Sequence, residues 1–157
     1  MIISGKKIRL RAIEKDDLDV LKQAINSSEL EYMENGFCFP VSDYEQSLWF
    51  EKLRNTKENQ RLIIEYSNQA IGWLSLVDID WKNRCAHTGI KIFNSEYRGK
   101  GLAQDAVMAI MRFSFDELNL NRLEGFMLDY NIASQKLYID KCGWKVEGIK
   151  RKSVYKG

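Results

Sequence analysis

Arg98-Gly99-Lys100-Gly101-Leu102-Ala103 is the stretch on which the reading of this chain turns. It lies between a strand-like run, from about Cys85 to Phe93, and a long helical pattern, Leu102 to Leu118, with Leu102, Ala106, Ile110 and Phe113 on one side. The first turn of a helix carries backbone N–H groups without intrahelical acceptors, and its end of the macrodipole is positive. Successive amides running into that end make an anion cradle. Gly99 and Gly101 let the backbone come close to a phosphate, and small Ala103 keeps the first turn clear. Two other glycine-rich phosphate loops fit less well. A P-loop requires Gly-Lys-Ser/Thr, but Gly101 follows Lys100 and no hydroxyl comes next; a dinucleotide fingerprint requires a small residue where Gln104 stands. On the loop alone, a strand-to-helix turn merely shaped by its glycines stays open as the alternative.

Upstream of the loop, Lys7-Ile-Arg-Leu-Arg-Ala-Ile13 alternates apolar and basic residues, the pattern of a half-buried strand. Glu14 to Asn26 follows as a helix with Leu18, Leu21 and Ile25 at helical spacing, then a loop from Ser27 to Val41 carrying Gly36 and Pro40. Ser42 or Asp43 caps a second helix whose apolar stripe is Leu48, Trp49 and Leu53. Arg61 to Tyr66 and Ala70 to Val77 read as strands around the polar turn Ser67-Asn68-Gln69. Downstream, Asn121 to Leu128 is strand-like, Ile132 to Cys142 helical, and Trp144 to Ile149 strand-like again. The order βααβββαβαβ predicts an α/β (α+β) sandwich, with helices packed on a central, mostly antiparallel sheet.

The chain shows no repeat, no low-complexity tract and only one proline, Pro40, so residues 1–157 read as a single domain. With 45% hydrophobic and 29% charged residues it reads as soluble and globular. A net charge of +2 is too small to indicate nucleic acid or a membrane surface as partner. No apolar run approaches the roughly 20 residues that span a bilayer, and Met1 to Lys7 lacks a signal-peptide layout. Cys38, Cys85 and Cys142 are odd in number with no CxxC pair, which points to reduced cytoplasmic thiols and to no metal site.

The pattern Arg/Gln-x-x-Gly-x-Gly/Ala is the cofactor signature of the GNAT superfamily of N-acetyltransferases, and Arg98, Gly101 and Ala103 match it. The wider string Glu96 to Ala103 resembles the ribosomal-protein and spermidine N-acetyltransferase branches. Asn131-Ile-Ala-Ser-Gln-Lys-Leu-Tyr138, followed by Lys141-Cys-Gly-Trp144, resembles the family's N-x-x-S/A-x-x-x-Y-x-x-x-G-F helix. Ile79 to Ile90 resembles the strand before the cofactor loop. These three matches stand in the family's order and cover about half the chain.

The resemblance implies a GNAT-like sheet with helices on both faces and acetyl-CoA, as co-substrate, in a cleft where the strand ending near Phe93 splays from the one starting near Asn121. Backbone groups around Ile92 and Phe93 would pair with the pantetheine arm. The amides of Arg98, Gly99, Lys100, Gly101, Leu102, Ala103 and Gln104 would hold the pyrophosphate, while Lys100 either adds charge or is a solvated loop lysine. Asn131 would cap the next helix and contact the pantetheine arm, with Ser134 directed to the same cofactor. Ser134 and Tyr138, four apart, share a helix face. Tyr138 would protonate the departing thiolate, a phenol being protonated at neutral pH; without the family match it reads as a core tyrosine.

His87 is the only histidine and falls where relatives commonly carry glutamate. Neutral imidazole would take the proton of the attacking amine, directly or through water; a packed strand histidine is the competing reading. Glu29, Glu31 and Glu34 would attract a cationic acceptor or form a solvated acidic loop, and Tyr32, Phe37, Phe39 and Trp49 would shape the pocket or anchor the loop.

The implied activity is acetyl transfer to a primary amine (a protein N-terminus, a polyamine or another small amine) by direct attack on the thioester. The alternative from another class is a non-catalytic acyl-CoA-binding module. Relatives usually continue through a final strand beyond the position of Gly157. Ser153 to Gly157 therefore fits an abbreviated hairpin, a truncated chain, or a sheet completed by a partner subunit, which would make a homo-oligomer.

Overall fold

Among the described residues six strands form one sheet whose spatial order is their order in the chain. In the computed structural model, which describes residues 1–33, 39–53 and 56–152, they are β1 (Ile3–Ser4), β2 (Arg9–Ala12), β3 (Gln60–Tyr66), β4 (Gln69–Asp80), β5 (Cys85–Ile92) and β6 (Arg122–Glu124). Every neighbouring pair is antiparallel except β5 and β6, which run parallel. The hairpin between β3 and β4 closes through Ser67 and Asn68, at φ 50° and 61°, so that Tyr66 pairs directly with Gln69. Two successive positive-φ residues give the twist that a two-residue hairpin requires. The turn is one residue shorter than expected.

Strand alternation divides the core. Ile63 and Ile64 are both fully buried, yet they point to opposite faces. Ile64 packs with Ile8, Leu10, Leu74 and Leu76 beneath α4 (Leu102–Arg112), whose Leu102, Ala106 and Ile110 form the expected stripe. Ile63 joins Ile13, Leu21, Ala24 and Leu30 beneath α1 (Leu18–Ile25), α2 (Ser28–Tyr32) and α3 (Asp43–Lys52). Burying one such side chain stabilises the fold by about 1.5–3 kcal/mol. Helices thus cover both faces of a mostly antiparallel sheet. The last helix, α5 (Ile132–Gln135), continues as a π-helical stretch to Lys141 and packs Tyr138 and Cys142 against Val107 of α4.

Four sequence expectations differ. The stretch expected as loop from Ser27 contains α2, because Ser27 accepts the N–H of Leu30 as an N-cap and Leu30 is buried. Ile25, expected on the buried stripe of α1, is exposed, and Ala24 takes the core position. The strand expected over Asn121 to Leu128 is paired only at Arg122–Glu124. Trp144 to Ile149 is not a strand: Gly143 turns the chain at φ 76°, Trp144 packs edge-on against Tyr138, and Val146 and Ile149 are left exposed. At the start of α3, Ser42 is the cap, closing a reciprocal box with Glu45.

Candidate active site

The ladder between β5 and β6 pairs Cys85 with Arg122, Ala86 with Leu123 and His87 with Glu124, and extends no further. Beyond it the chain from Gly125 to Leu128 leaves β5 and opens a cavity of about 210 Å³. Gly125 permits the tight start of this divergence, since a side chain there would bring Cβ to 3.3 Å from the carbonyl oxygen of Thr88. Trp73 and Ser75 of β4, residues 88–90 of β5 and Met33 at the end of α2 form the other walls, with Asn131, Ser134 and Tyr138 closing one side. The structure therefore brings Ser134 and Tyr138 together, as their spacing predicts, with Asn131 beside them.

Asn131 works at both ends of its amide. Its Oδ1 accepts the backbone N–H of Ser134 at 3.1 Å and caps α5, while its Nδ2 donates to the carbonyl of Met33 at 3.2 Å. Beside it, the Tyr130 hydroxyl donates to the carbonyl of Tyr32 at 2.7 Å, and the two tyrosine rings lie 4.9 Å apart. These contacts tie α2 to the start of α5 across the cavity. Tyr138 is 4% exposed, and its hydroxyl has no hydrogen-bond partner among the described residues. Burial, with a smaller contribution from Cys142, raises its pKa well above the ordinary phenol value, so the group is a proton carrier at neutral pH. A buried polar group without a protein partner is costly, and Tyr138 is among the residues that line the cavity.

At the glycine loop, Gly99 and Gly101 adopt φ 72° and 76°, a region that other residues enter only with strain. Gly101 is the N-cap of α4, and the first backbone donation of that helix is from Asp105 to Gly101 at 3.0 Å. The amides from Gly99 to Gln104 have no backbone acceptor among the described residues. Leu102 is buried in the core and fixes the loop from below. The Lys100 ammonium stands 5.8 Å from the Tyr97 ring centre, and the Gln104 side chain donates to the carbonyl of Lys141 at 3.2 Å. Arg98 pairs with Glu29 at 2.6 Å. Glu29, one of the acids expected either to attract a cationic acceptor or to form a solvated loop, thus pairs with the glycine loop.

Two residues of this region escaped the sequence reading. The Lys7 ammonium donates to the carbonyl of Lys100 at 3.1 Å, and Asp105 accepts the backbone N–H groups of Lys6, Lys7 and Ile8 at 2.8, 2.6 and 3.0 Å. Burial acts to raise the pKa of Asp105, but the three amides outweigh it and hold the carboxyl below its ordinary value. A cluster of Lys6, Lys7 and Asp105 is invisible in sequence because the partners are about a hundred positions apart.

Other expectations are placed differently. Phe93 donates its N–H to Ile71 at 2.9 Å and Ile92 pairs with Gly72, so the amide of Phe93 is taken by β4. The cavity lies alongside residues 88–90 instead. His87 does not line the cavity. It stands on the same face of β5 as Gly89, which does, and Phe126 of the cavity wall stacks on its ring with centres 5.4 Å apart. Its Nε2 is 3.8 Å from Glu124 Oε2, and its Nδ1 is buried without a hydrogen-bond partner among the described residues. Trp49 packs in the core under the helices, Phe39 is exposed, and Glu34, Phe37 and Cys38 lie outside the described residues. Cys85 and Cys142 are free thiols. Among the described residues no cluster of His, Cys, Asp or Glu is suited to hold a metal ion, and no helix is long and apolar enough to cross a membrane.

The family profile described as Acetyltransferase (GNAT) domain matches residues 7–145. The chain belongs to the GNAT family of N-acetyltransferases. Among its GNAT relatives, the SPbeta prophage-derived uncharacterized N-acetyltransferase YokL of Bacillus subtilis (strain 168) is 28% identical over 97% of this chain and 84% of its own length. The crystal structure of the spermidine N-acetyltransferase from Vibrio cholerae, in complex with CoA and spermine, superposes with a TM-score of 0.79 at 26% identity, covering 92% of this chain and 84% of that one. RimL, a ribosomal L7/L12 alpha-N-protein acetyltransferase in complex with coenzyme A, reaches a TM-score of 0.82 at 19% identity, covering 99% and 90%. At that identity the likeness is one of fold.

Proposed function

We propose that this enzyme transfers an acetyl group from acetyl-CoA to a primary amine by direct attack of the amine on the thioester. The observation that carries the reading is the unpartnered, buried hydroxyl of Tyr138 on the wall of the cavity between diverging β5 and β6. The open amides from Gly99 to Gln104, at the positive end of α4, fit a pyrophosphate. The strand edge beyond His87, facing residues 125–128, suits an extended pantetheine arm, with Asn131 and Ser134 beside it.

In the reaction the amine loses a proton, its electron pair attacks the carbonyl carbon, and the collapsing intermediate expels the thiolate. Tyr138 donates the proton the thiolate requires, and its burial keeps the phenol protonated at neutral pH. His87, which stands behind Phe126 rather than on the cavity wall, takes the proton of the amine through water. Spermine in the Vibrio cholerae relative supports a polyamine among the acceptors to be tried first.

The test is thiol release from acetyl-CoA with polyamines, N-terminal peptides and amino sugars in turn. Amine-dependent release establishes the transferase reading. Tight acetyl-CoA binding with no release from any amine would convert it to an acyl-CoA-binding module.

A further inference from the structure

The side chains with a hydroxyl or an amide on the cavity wall are Ser75, Thr88, Asn131, Ser134 and Tyr138. Asn131 is bonded at both ends of its amide, to Ser134 and to Met33. Ser134 and Tyr138 belong to the α5 side, beside the proposed cofactor. The Thr88 hydroxyl is buried and donates to the carbonyl of Ser75 at 2.7 Å. Ser75 is left over. Its carbonyl is taken by Thr88, but its hydroxyl has no partner among the described residues.

Ser75 lies in the middle of β4, directly opposite Gly89 of β5 in the antiparallel register. Directly opposed residues point to the same face of a sheet, so the Ser75 side chain borders the space that a Gly89 side chain would fill. A Cβ at Gly89 would lie 3.5 Å from Ser75 Oγ, and no other atom outside the adjacent residues comes within 4 Å of it. Trp73, two residues along β4, shares this face and also lines the cavity. In the sheet β5 separates β4 from β6, so this wall stands across β5 from residues 125–128, where the pantetheine arm is proposed to run. The space over Gly89 is therefore bordered by one open hydroxyl on the side away from the cofactor.

We infer that Ser75 is an acceptor-binding residue, its Oγ accepting an N–H of the incoming amine in the space over Gly89. The inference rests on the transferase reading. An amine attacking a carbonyl carbon must aim its lone pair, and one N–H held by a fixed oxygen restricts the rotation that would misdirect it. A hydroxyl can accept such a bond, whereas the indole of Trp73 beside it only donates. Ser75 is not the base. The amine loses one proton through water, a second N–H stays on Ser75 Oγ, and the nitrogen lone pair forms the new bond to the acetyl carbon.

The test is kcat/KM for the amine at saturating acetyl-CoA. The probe is whichever of spermine, a peptide with a free N-terminus and glucosamine gives the fastest thiol release from the wild type. Ser75→Ala should lower this value roughly fivefold to tenfold, the scale of one hydrogen bond, with KM for acetyl-CoA and thermal unfolding unchanged. The pH profile should keep its inflections, because the hydroxyl does not titrate near neutrality. Wild-type kcat/KM in Ser75→Ala overturns the inference and leaves the transferase reading standing. An equal rise in KM for acetyl-CoA, or a lost inflection, also overturns it, by making Ser75 a structural residue or part of the proton path. If no amine drives thiol release from the wild type, the transferase reading falls and takes this inference with it.

Discussion

Asp105, in the first turn of α4, accepts the backbone N–H of Lys7 at 2.6 Å. With the amides of Lys6 and Ile8 it clasps the connection between β1 and β2 to the helix that carries the glycine loop. Gly5 is required for the fit, because a Cβ there would lie 2.5 Å from the Asp105 carboxylate. An acidic side chain so near the proposed pyrophosphate site would repel phosphate, but here its charge is spread over three donors. The same clasp puts the Lys7 ammonium on the carbonyl of Lys100.

Asp105→Asn is expected to lower stability by about 1 kcal/mol at neutral pH, toward the low end for charged hydrogen bonds because the group is partly solvated. The sign with pH follows from linkage. A carboxyl with a lowered folded pKa contributes fully above the ordinary carboxylate range and loses that contribution as pH falls through the folded value. Urea unfolding at neutral and acid pH should show the wild-type advantage shrinking in acid. A gap that stays constant would remove the carboxylate from the account.

Gly101→Ala tests the loop. At φ 76° an L-residue costs about 1–2 kcal/mol, whereas the space is adequate, the nearest atom to a Cβ being Lys7 Nζ at 3.8 Å. Strain rather than collision should therefore set the stability loss, and the displaced amides should weaken acetyl-CoA binding, more so in Gly101→Val. Calorimetry that finds wild-type affinity in a folded Gly101→Val protein would remove the pyrophosphate from this loop.

Much of the fold was legible because its signals are local. The helix start at Ser42 or Asp43, the stripe Leu102, Ala106 and Ile110, and the hairpin turn after Tyr66 each need only a few consecutive residues. Ser134 and Tyr138 were legible for the same reason, their spacing of four bringing them to one wall beside the capping Asn131. Trp144 to Ile149 misled because alternation reports a preference for a half-buried strand, whereas Trp144 finds its cover on Tyr138 and its indole N–H on Met111 Sδ. Glu29 could not be assigned from sequence either, since its partner Arg98 is 69 positions away. Lys7, Asp105 and Glu124 are ordinary charged residues until the sheet and α4 bring their partners together.

Tyr138→Phe should separate chemistry from packing. The ring contact with Trp144, at 4.8 Å between centres, is kept, and the hydroxyl removed has no protein partner to lose. Thermal stability should hold or rise slightly, since deleting an unsatisfied buried polar group is neutral or favourable. Turnover should fall roughly 10²-fold or more, the usual contribution of a positioned acid. Full turnover in this variant would return Tyr138 to a packing role.

Asn131 joins two elements, and substitutions can divide its two functions. Serine retains an oxygen able to accept the N–H of Ser134 and so keeps the cap, but it has no amide to reach the carbonyl of Met33. Alanine loses both. Asn131→Ser should therefore cost only a few tenths of a kcal/mol in urea unfolding, and Asn131→Ala about 1 kcal/mol. Both should raise KM for the amine by a similar few-fold factor, because Met33 is part of the cavity wall and its carbonyl loses a tether in each. KM for acetyl-CoA should rise as well, since Asn131 stands beside the proposed path of the pantetheine arm, even though the open amides from Gly99 to Gln104 are untouched. The remaining tie, from the Tyr130 hydroxyl to the carbonyl of Tyr32, limits the size of the effect. Removing that tie as well, in Asn131→Ser with Tyr130→Phe, should enlarge the rise in amine KM beyond the product of the two single changes, as coupled contacts do. Simple multiplicative effects would mean that the two bonds hold α2 independently.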